Sequence, residues 1–224
     1  MDGGAEGAAP GPAASPMKLT ITTGNHKLGK KVGNLSLPPI VTCIPKAPCG
    51  VNGLCYALKA WRQYPNVRTA WSENYELWQT DPREFELQLH QWLERHGLPN
   101  GKFLRFRWHV GGDIPDKEYL LMMRRIAVLH PQVRFRAFTK RYEFFTDAPV
   151  VEPANLVIGM SRWPGLAFPE ELLERYSQAW YDHPRYHDVY MDTDVVKRPC
   201  PGSCETCHLC WGMKAGESVV FKHH

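Results

Sequence analysis

Residues Val41–Ala57 read VTCIPKAPCGVNGLCYA, and the organisation of the chain follows from this loop. It carries three cysteines, Cys43, Cys49 and Cys55, among proline, glycine and asparagine residues. Because proline and glycine keep a segment out of helices and strand ladders, the loop can fold back and bring three sulfur atoms together. Three thiolates are an incomplete ligand set for a tetrahedral metal or a cubane cluster. The loop therefore predicts a metal centre with one coordination position left for another ligand.

A second cysteine group lies near the C-terminus, where Cys200, Cys204, Cys207 and Cys210 are separated by three, two and two residues. Four thiolates so close in sequence are a strong signal for a metal site. The short gaps favour an iron–sulfur cubane, since bacterial ferredoxins use similar runs. A closed, structural zinc site is the alternative, because both centres accept four sulfur ligands in a tetrahedral arrangement.

The composition is ordinary for a soluble globular protein, with 43% apolar and 22% charged residues in a chain of 224. No apolar run is long enough to span a membrane, and the N-terminus lacks the basic-then-apolar pattern of a signal peptide. We therefore expect a cytoplasmic, reducing location, where clustered cysteines are metal ligands more often than disulfides. The formal net charge of +4 is compatible with an anionic partner without requiring one.

Composition divides the chain into three parts. Residues 1–17 are rich in glycine, alanine and proline without apolar periodicity, which predicts a disordered leader. Residues 18–198 form the predicted core, which includes the cysteine loop. Residues 199–224 form a predicted metal-binding extension with four cysteines and a closing strand.

Apolar periodicity within the core predicts alternating strands and helices. The predicted strands are Lys18–Thr22, Leu35–Val41, Lys102–Val110, Val133–Lys140, Leu156–Ser161, His187–Asp192 and, at the end, Ser218–Lys222. Five helices are predicted. The first starts near Tyr56, the second covers Thr69–Gln79, and the third runs from Pro82, behind an Asp81 cap, to Gly97. The fourth runs from Asp116 or Pro115 to about His130, and the fifth covers Pro169–Trp180. This order indicates an α/β fold of five or six parallel βα units. We expect a partial (βα)5–6 barrel, with a doubly wound open sheet as the alternative.

The strand Lys102–Val110 alternates apolar residues with Arg105, Arg107 and His109. In a βα barrel the apolar face is covered by helices, so these cationic side chains are expected in the lumen. Unpaired charges there are costly and call for carboxylates or an anionic ligand. A sheet with one hydrated face is the alternative, in which the arginines simply contact water.

The sequence Gly111-Gly112-Asp113 ends this strand, at the edge where ligands of parallel sheets gather. Two glycines allow a ligand to approach the backbone, whose carbonyls can accept hydrogen bonds from an ammonium group. A tight turn that caps the next helix is the alternative. Lys140 and Ser161 end the following two strands at the same predicted edge, where Lys140 could bind an anion or belong to a basic surface turn.

The order of four motifs resembles the phage-associated gene product eighty-eight family, from about Gly24 to the C-terminus. The motifs are TCIPKAPCGVNGLCYA, FRWHVGGDIPDKEY, FRAFTK and a cysteine cluster that ends in CHLCW. A three-cysteine loop followed by a strand that ends in Gly-Gly-acid is also similar to radical S-adenosylmethionine (SAM) enzymes, which have barrel-like cores. Here the loop gaps are five and five residues where the usual radical SAM loop has three and two, and the acid is Asp where Glu is usual.

The radical SAM resemblance implies that Cys43, Cys49 and Cys55 hold a [4Fe–4S] cluster whose open iron binds the amino and carboxylate groups of SAM. The Gly-Gly-Asp turn would face that amino group, and the second cysteine group would hold an auxiliary [4Fe–4S] cluster or zinc. Reductive cleavage of the sulfonium would then yield a carbon radical that abstracts a hydrogen atom from a substrate.

These features give a leading hypothesis and two alternatives. The leading hypothesis is a radical-SAM-like iron–sulfur enzyme with an unidentified substrate that could be anionic, a reductant protein as partner, and catalytic residues that the sequence does not name. A zinc-stabilised nucleic-acid-binding protein is the first alternative, because arginines and aromatic rings suit phosphate contact and base stacking. An electron-transfer or sensor protein without SAM chemistry is the second.

Overall fold

The computed structural model of the chain describes residues 17–24, 28–96, 105–147, 150–183, 197–204 and 206–222. Four predictions fall wholly or partly outside these ranges. They are the disordered leader at 1–17, except for its last residue, the end of the third predicted helix at Gly97, residues 102–104 of the strand Lys102–Val110, and the strand His187–Asp192.

Eight described strands form one sheet in the order β1-β2-β3-β4-β5-β6-β8-β7. Their bounds are β1 Thr22–Thr23, β2 Val32–Leu35, β3 Arg105–Trp108, β4 Arg134–Thr139, β5 Leu156–Ser161, β6 Ser177–Asp182, β7 Lys197–Pro199 and β8 Ser218–Lys222. The pairing of β1 with β2 is antiparallel and the other described pairings are parallel. The predicted α/β class is therefore confirmed, whereas the described strands do not close into a barrel.

The strands β2 to β6 lie side by side in chain order, so each connection moves the chain one place in the same direction. Crossover connections between parallel strands are right-handed, so connections that all move in the same direction place their helices on one face of the sheet. This order lacks the reversal that defines a doubly wound sheet. The opposite face is left for the loops, while the C-terminal strands β7 and β8 extend the sheet itself. Within the segment 199–224, predicted as an extension, β8 belongs to the same sheet.

Five helices are present in the described ranges. Their bounds are α1 Pro48–Val51, α2 Tyr56–Gln63, α3 Pro65–Thr80, α4 Pro82–His96 and α5 Lys117–Leu129. The predicted Asp81 cap is confirmed, because its carboxylate accepts a hydrogen bond from the Glu84 amide at 3.0 Å. The helix predicted to open at Pro115 or Asp116 begins at Lys117, and the Asp116 carboxylate caps it by accepting a hydrogen bond from the Tyr119 amide at 2.8 Å. None of these helices combines the length and apolarity that crossing a bilayer requires.

The main core lies between the sheet and helices α3, α4 and α5. Phe106 and Trp108 of β3 and Phe135 of β4 project into it and pack on one another with centroid separations of 5.1–6.1 Å. Side chains alternate across a strand, so their neighbours Arg107 and Arg136 face the other side of the sheet. One face of each strand therefore builds the core, and the other builds a polar, cysteine-lined site.

Two of the predicted strands are wrong in their extent. The strand predicted at Lys18–Thr22 shares only its last residue with β1. The strand predicted at Leu35–Val41 ends at its first residue, because Pro38 and Pro39 follow and cannot donate to a strand ladder.

The helix predicted at Pro169–Trp180 is also wrong. The segment forms a short 3₁₀ turn, Glu170–Leu172, followed by strand β6. Here the pairing of β6 between two parallel strands overrides the local helical pattern.

Gly112 marks the closest approach between the end of β3 and the loop that leads to the first cysteines. Its φ is 79°, and a Cβ atom there would lie 2.6 Å from the Leu37 carbonyl oxygen and 2.7 Å from the Thr42 hydroxyl oxygen. Both features require glycine, because other residues rarely adopt this conformation and the neighbouring atoms leave no room.

We expect Gly112→Ala to lower the free energy of unfolding by about 3 kcal/mol, because left-handed strain and overpacking act together. Gly165→Ala is a matched control, since Gly165 has a φ of 78° but no atom within 4 Å of the added Cβ. It should lose only about 1 kcal/mol. Urea unfolding of both variants measures the difference, and equal losses would contradict the close approach at Gly112.

Candidate functional site

Both cysteine groups line a single cavity of about 1070 Å³ on the face of the sheet that carries Arg107 and Arg136, and residues of α2 and α3 complete its wall. The cysteines that line it are Cys43, Cys49, Cys55, Cys200, Cys204, Cys207 and Cys210. The two groups are far apart in sequence, and the topology brings them together because β3, β4 and β5 end beneath the first loop while β8 returns beside β6. The predicted rim residues Gly112, Asp113, Lys140 and Ser161 line the same cavity.

The first cysteine loop is built from short, capped turns. Cys49 lies in the one-turn helix α1, and Cys55 caps α2, where its sulfur accepts a hydrogen bond from the Leu58 amide at 3.4 Å. A hydrogen bond from the Cys55 thiol lowers the pKa of Cys49 to about 6, against the opposing effect of burial. The same bond, with burial, raises the pKa of Cys55, and burial raises the pKa of Cys43 to about 11.

These three thiols interact with one another but do not form a finished ligand set. Cys43 is close enough to Cys49 and Cys55 for their charges to affect one another. Across the described residues, no three Cys, His, Asp or Glu side chains converge at ligand distance. A metal would therefore have to draw the sulfurs together. Soft thiolate donors of this kind suit iron–sulfur clusters and zinc.

Lys140 is a buried cation whose charge acts on the first cysteine loop. Burial acts to lower the pKa of its ammonium group, but the sulfurs of Cys49 and Cys43 and the carboxylate of Asp113 outweigh that effect and raise it. The ammonium nitrogen also lies 5.4 Å from the centre of the Trp163 ring, in cation–π contact. Lys140 therefore places a positive charge beside the three-thiol loop.

Asp113 connects the ends of β3 and β4. Its carboxylate accepts hydrogen bonds from the Thr139 hydroxyl at 2.6 Å, the Ile114 amide at 2.8 Å and the Lys140 amide at 2.9 Å. Burial to 3% exposure raises the pKa of this carboxyl, although Lys140 and these hydrogen bonds oppose the shift. Most of its acceptor capacity is therefore occupied by protein groups.

The remaining rim residues have different surroundings. Gly111 is absent from the residues that line the cavity, and a Cβ atom there would lie 2.2 Å from the Trp71 ring. Its role in the described structure is therefore close packing. Ser161 lines the cavity, and its carbonyl accepts a hydrogen bond from the Tyr142 hydroxyl.

His109 is buried in a left-handed conformation with a φ of 53°, next to the Gly-Gly turn. Its Nε2 lies 3.2 Å from the Tyr119 hydroxyl, while Nδ1 has no hydrogen-bond partner among the described groups. Burial, reinforced by the positive charge of Arg107, lowers the pKa of His109 to about 3. The imidazole that lines the cavity is therefore neutral near pH 7.

Arg107 and Arg136 are register partners on β3 and β4, and both guanidinium groups lie on the Phe138 ring, at 4.3 and 4.1 Å from its centre. Arg136 is 0% exposed, donates to the Ser177 hydroxyl at 3.1 Å, and has no partner for Nε in the described part of the chain. Burial lowers its pKa to about 9, although Cys210 raises it. Arg136, which is fully buried, and Arg107, which is half-buried, therefore place two cations beside the second cysteine group.

Arg105 holds the second cysteine loop in place. Its guanidinium donates to the carbonyl oxygens of Cys204 at 2.8 Å and Cys207 at 3.2 Å, and it also contacts the His208 ring. The same group lies 5.6 Å from the centre of the buried Trp211 ring. Arg105, predicted in the lumen with Arg107 and His109, therefore bonds to the loop backbone, while the other two line the cavity.

Sequence reasoning missed Arg136, Trp163 and Tyr56 as cavity residues. Arg136 was detectable, because it alternates with apolar residues on β4 as Arg107 does on β3. Trp163 follows β5, and the Tyr56 hydroxyl donates to the Val110 carbonyl across a long sequence separation. No local pattern signals those two positions.

The family model described as Gene product 88 matches residues 15–213, a span that includes all seven cysteines. No curated protein and no solved structure matches the chain.

The low pKa of His109 predicts that the protein loses stability as the pH falls. The unfolded chain takes up a proton near pH 6.5, whereas folded His109 stays neutral until about pH 3, so protonation favours unfolding. From about pH 7.5 to about pH 5.5 this residue should remove about 1 kcal/mol. Asparagine tolerates a positive φ, so His109→Asn keeps the local backbone. Over the same pH change, the free energy of unfolding of this variant should fall by about 1 kcal/mol less than that of wild type. Urea titrations of both proteins at the two pH values test this, and identical slopes would contradict it.

Proposed function

The chain belongs to the Gene product 88 family, and we propose that it is a radical-SAM-like iron–sulfur enzyme that acts on an anionic substrate. The observation that supports this most is the single cavity lined by all seven cysteines. Two metal sites beside one cavity suit a cofactor-dependent reaction better than two separate structural sites. The one-directional order of β2 to β6 is compatible with the incomplete barrel of radical SAM cores.

In this proposal Cys43, Cys49 and Cys55 hold a [4Fe–4S] cluster and leave one iron for SAM. When bound, the two cofactors together supply reductive cleavage of a carbon–sulfur bond and a carbon radical. The thiol of Cys49, with its pKa of about 6, is the one most readily deprotonated for metal binding. The Lys140 ammonium stands beside the loop, where it can attract the SAM carboxylate.

The second group, Cys200 to Cys210, would hold an auxiliary [4Fe–4S] cluster or zinc. A four-thiolate centre keeps a net negative charge in either case. Arg107 and Arg136 supply buried positive charge next to these sulfurs, and the Cys210 and Cys204 sulfurs act on the Arg107 charge. Desolvating a cation that has no carboxylate partner costs free energy, and an anionic metal centre beside Arg107 and Arg136 would offset that cost.

The charges around the cavity support an anionic substrate. Among the described residues, five cationic side chains line it, against one carboxylate that is already hydrogen-bonded to protein. The cations are Lys59, Arg107, Arg136, Lys140 and Lys222, and the carboxylate is Asp113. Trp163 and Tyr181 line the same cavity and stack on each other at 5.0 Å, which adds a flat apolar wall. A substrate with a carboxylate or phosphate beside a planar ring suits these surroundings.

We expect anaerobically purified protein to bind about four iron atoms for each [4Fe–4S] cluster, with matching acid-labile sulfide. Cys55→Ser should remove the iron of the first site alone, and Cys207→Ser the metal of the second site alone. Elemental analysis of wild type and both variants measures this. Ser72→Ala, a change in helix α3 outside both cysteine groups, is the control and should leave the metal content unchanged.

Zinc in both sites, or no iron at all, would contradict the proposed function. Zinc together with salt-dependent binding of DNA or RNA would support a zinc-stabilised nucleic-acid-binding protein. Iron in the first site with zinc in the second remains compatible with the proposal. Iron that is reduced reversibly without SAM cleavage would support an electron-transfer or sensor protein.

We expect the reduced, iron-loaded protein to release 5′-deoxyadenosine from SAM, detected by liquid chromatography. Lys140→Met should weaken SAM binding by roughly tenfold, because a charge-assisted contact to a carboxylate is lost. Lys140→Arg, which keeps the positive charge, should restore most of the binding. Equal SAM affinity in wild type and Lys140→Met would contradict the role given to Lys140.

A further inference from the structure

The segment Met17–Ser72 has an unusual charge composition. It contains eight lysines and arginines but no aspartate or glutamate, so its charge of +8 is twice the net charge of the whole chain. Within the described residues, Lys46, Lys59 and Arg62 are exposed and form no ion pair. The outer surface around the first cysteine loop is therefore cationic, and the segment Met17–Ser72 contributes no acidic side chain that could neutralise it.

A shallow groove of about 540 Å³ lies on this surface, between α1 and α2. The residues that line it are Gly50, Val51, Gly53, Cys55, Leu58, Lys59, Arg62 and Gln63. Gly53, Cys55 and Lys59 also line the large cavity. The groove and the cavity therefore meet at these three residues, and the groove reaches Cys55 from outside.

Exposed apolar side chains surround the groove. Val51, which lines it, is 69% exposed, and Val41 and Ile40 of the same loop are 63% and 54% exposed. Ile40 lies beside the groove, since a Cβ atom on Gly50 would be 3.9 Å from its Cγ1. Apolar residues bordered by unpaired cations are typical of a protein-binding surface, and the cations specify an acidic partner.

We infer that this groove is the docking surface for an acidic one-electron carrier protein, which delivers electrons to the first cluster through the Cys55 side. The electron-transfer role rests on the function proposed above. In the step itself, the carrier is oxidised by one electron and the cluster is reduced by one electron, with no bond made or broken. Redox encounters bury little surface, commonly less than about 1,200 Å², so a small groove with a few cations suffices.

The apolar residues favour a protein over a nucleic acid. Phosphate backbones are recognised by dense arrays of Lys and Arg, often with exposed aromatic rings. Among the described residues that line the groove there is no aromatic ring, and the cations are Lys59 and Arg62. Aliphatic side chains gain free energy when they are buried against another protein surface.

The experiment compares Arg62→Glu, a change at a residue that lines the groove but not the large cavity, with wild type, using an acidic flavodoxin as the probe. Binding of the flavodoxin to the purified protein is measured calorimetrically at low salt, and reduction of the cluster by photoreduced flavodoxin is followed by stopped-flow absorbance. We expect both the affinity and the reduction rate to fall by roughly tenfold or more, and the wild-type rate to fall as salt is added. Reduction by dithionite, a small ion, should keep its wild-type extent.

Arg83→Glu is the matched control, because it makes the same change in net charge at an exposed helical position outside the groove. This control should bind and accept electrons like wild type. Equal losses in both variants, or unchanged flavodoxin binding in Arg62→Glu, would overturn the docking surface. Binding of a short DNA duplex but not flavodoxin would also overturn it.

The two proposals fail in different ways. If dithionite reduces no iron in wild type, the proposed function fails and electron delivery fails with it. If dithionite reduces the cluster but flavodoxin neither binds nor reduces it, the docking surface alone is wrong. Groove-dependent flavodoxin binding together with dithionite-reducible iron supports both.

Discussion

The site depends on one close backbone contact, between Gly112 at the end of β3 and the loop that precedes Cys43. Thr42 lies at this contact, where its hydroxyl accepts a hydrogen bond from the Asp113 amide at 3.0 Å and donates to the Pro38 carbonyl at 2.9 Å. Arg141 donates to the Thr42 carbonyl from the end of β4. Three chain segments are therefore joined next to the first cysteine. Any side chain at Gly112 would push them apart and move the loop away from the sheet.

The hydrogen bonds of Asp113 at this contact also determine the charge of the cavity. The Asp113 carboxylate accepts three hydrogen bonds from protein groups, so little of its capacity is left to bind a ligand. The cations Lys140, Arg107 and Arg136 then have the sulfur groups as their main anionic neighbours. In the reduced, metal-free thiol state these cations are poorly compensated. Burial nevertheless raises the pKa of Cys43, Cys55 and Cys210, so the cations offset only part of the cost of forming thiolates, and a bound metal would supply the rest.

Local patterns in the sequence predicted much of this fold. Caps at Asp81 and Asp116 and the alternation on β3 and β4 are local signals, and the structure agrees with them. The helix predicted at Pro169–Trp180 was wrong because strand pairing, which no local pattern encodes, decides that segment. For the same reason the sequence predicted two cysteine groups but not their shared cavity. That proximity arises from β8 lying beside β6, a contact between distant parts of the chain.

The wide cysteine spacing has a structural explanation that bears on the cluster. Each gap of five residues is filled by ordered structure: Pro48 starts the one-turn helix α1 around Cys49, and Gly53 turns the chain at a φ of 70° so that Cys55 can cap α2. The extra residues therefore form turns instead of a slack loop. They place Cys49 and Cys55 within hydrogen-bond reach of each other before any metal binds. Those same turns form one side of the outer groove, and α2, which Cys55 caps, supplies its cations Lys59 and Arg62.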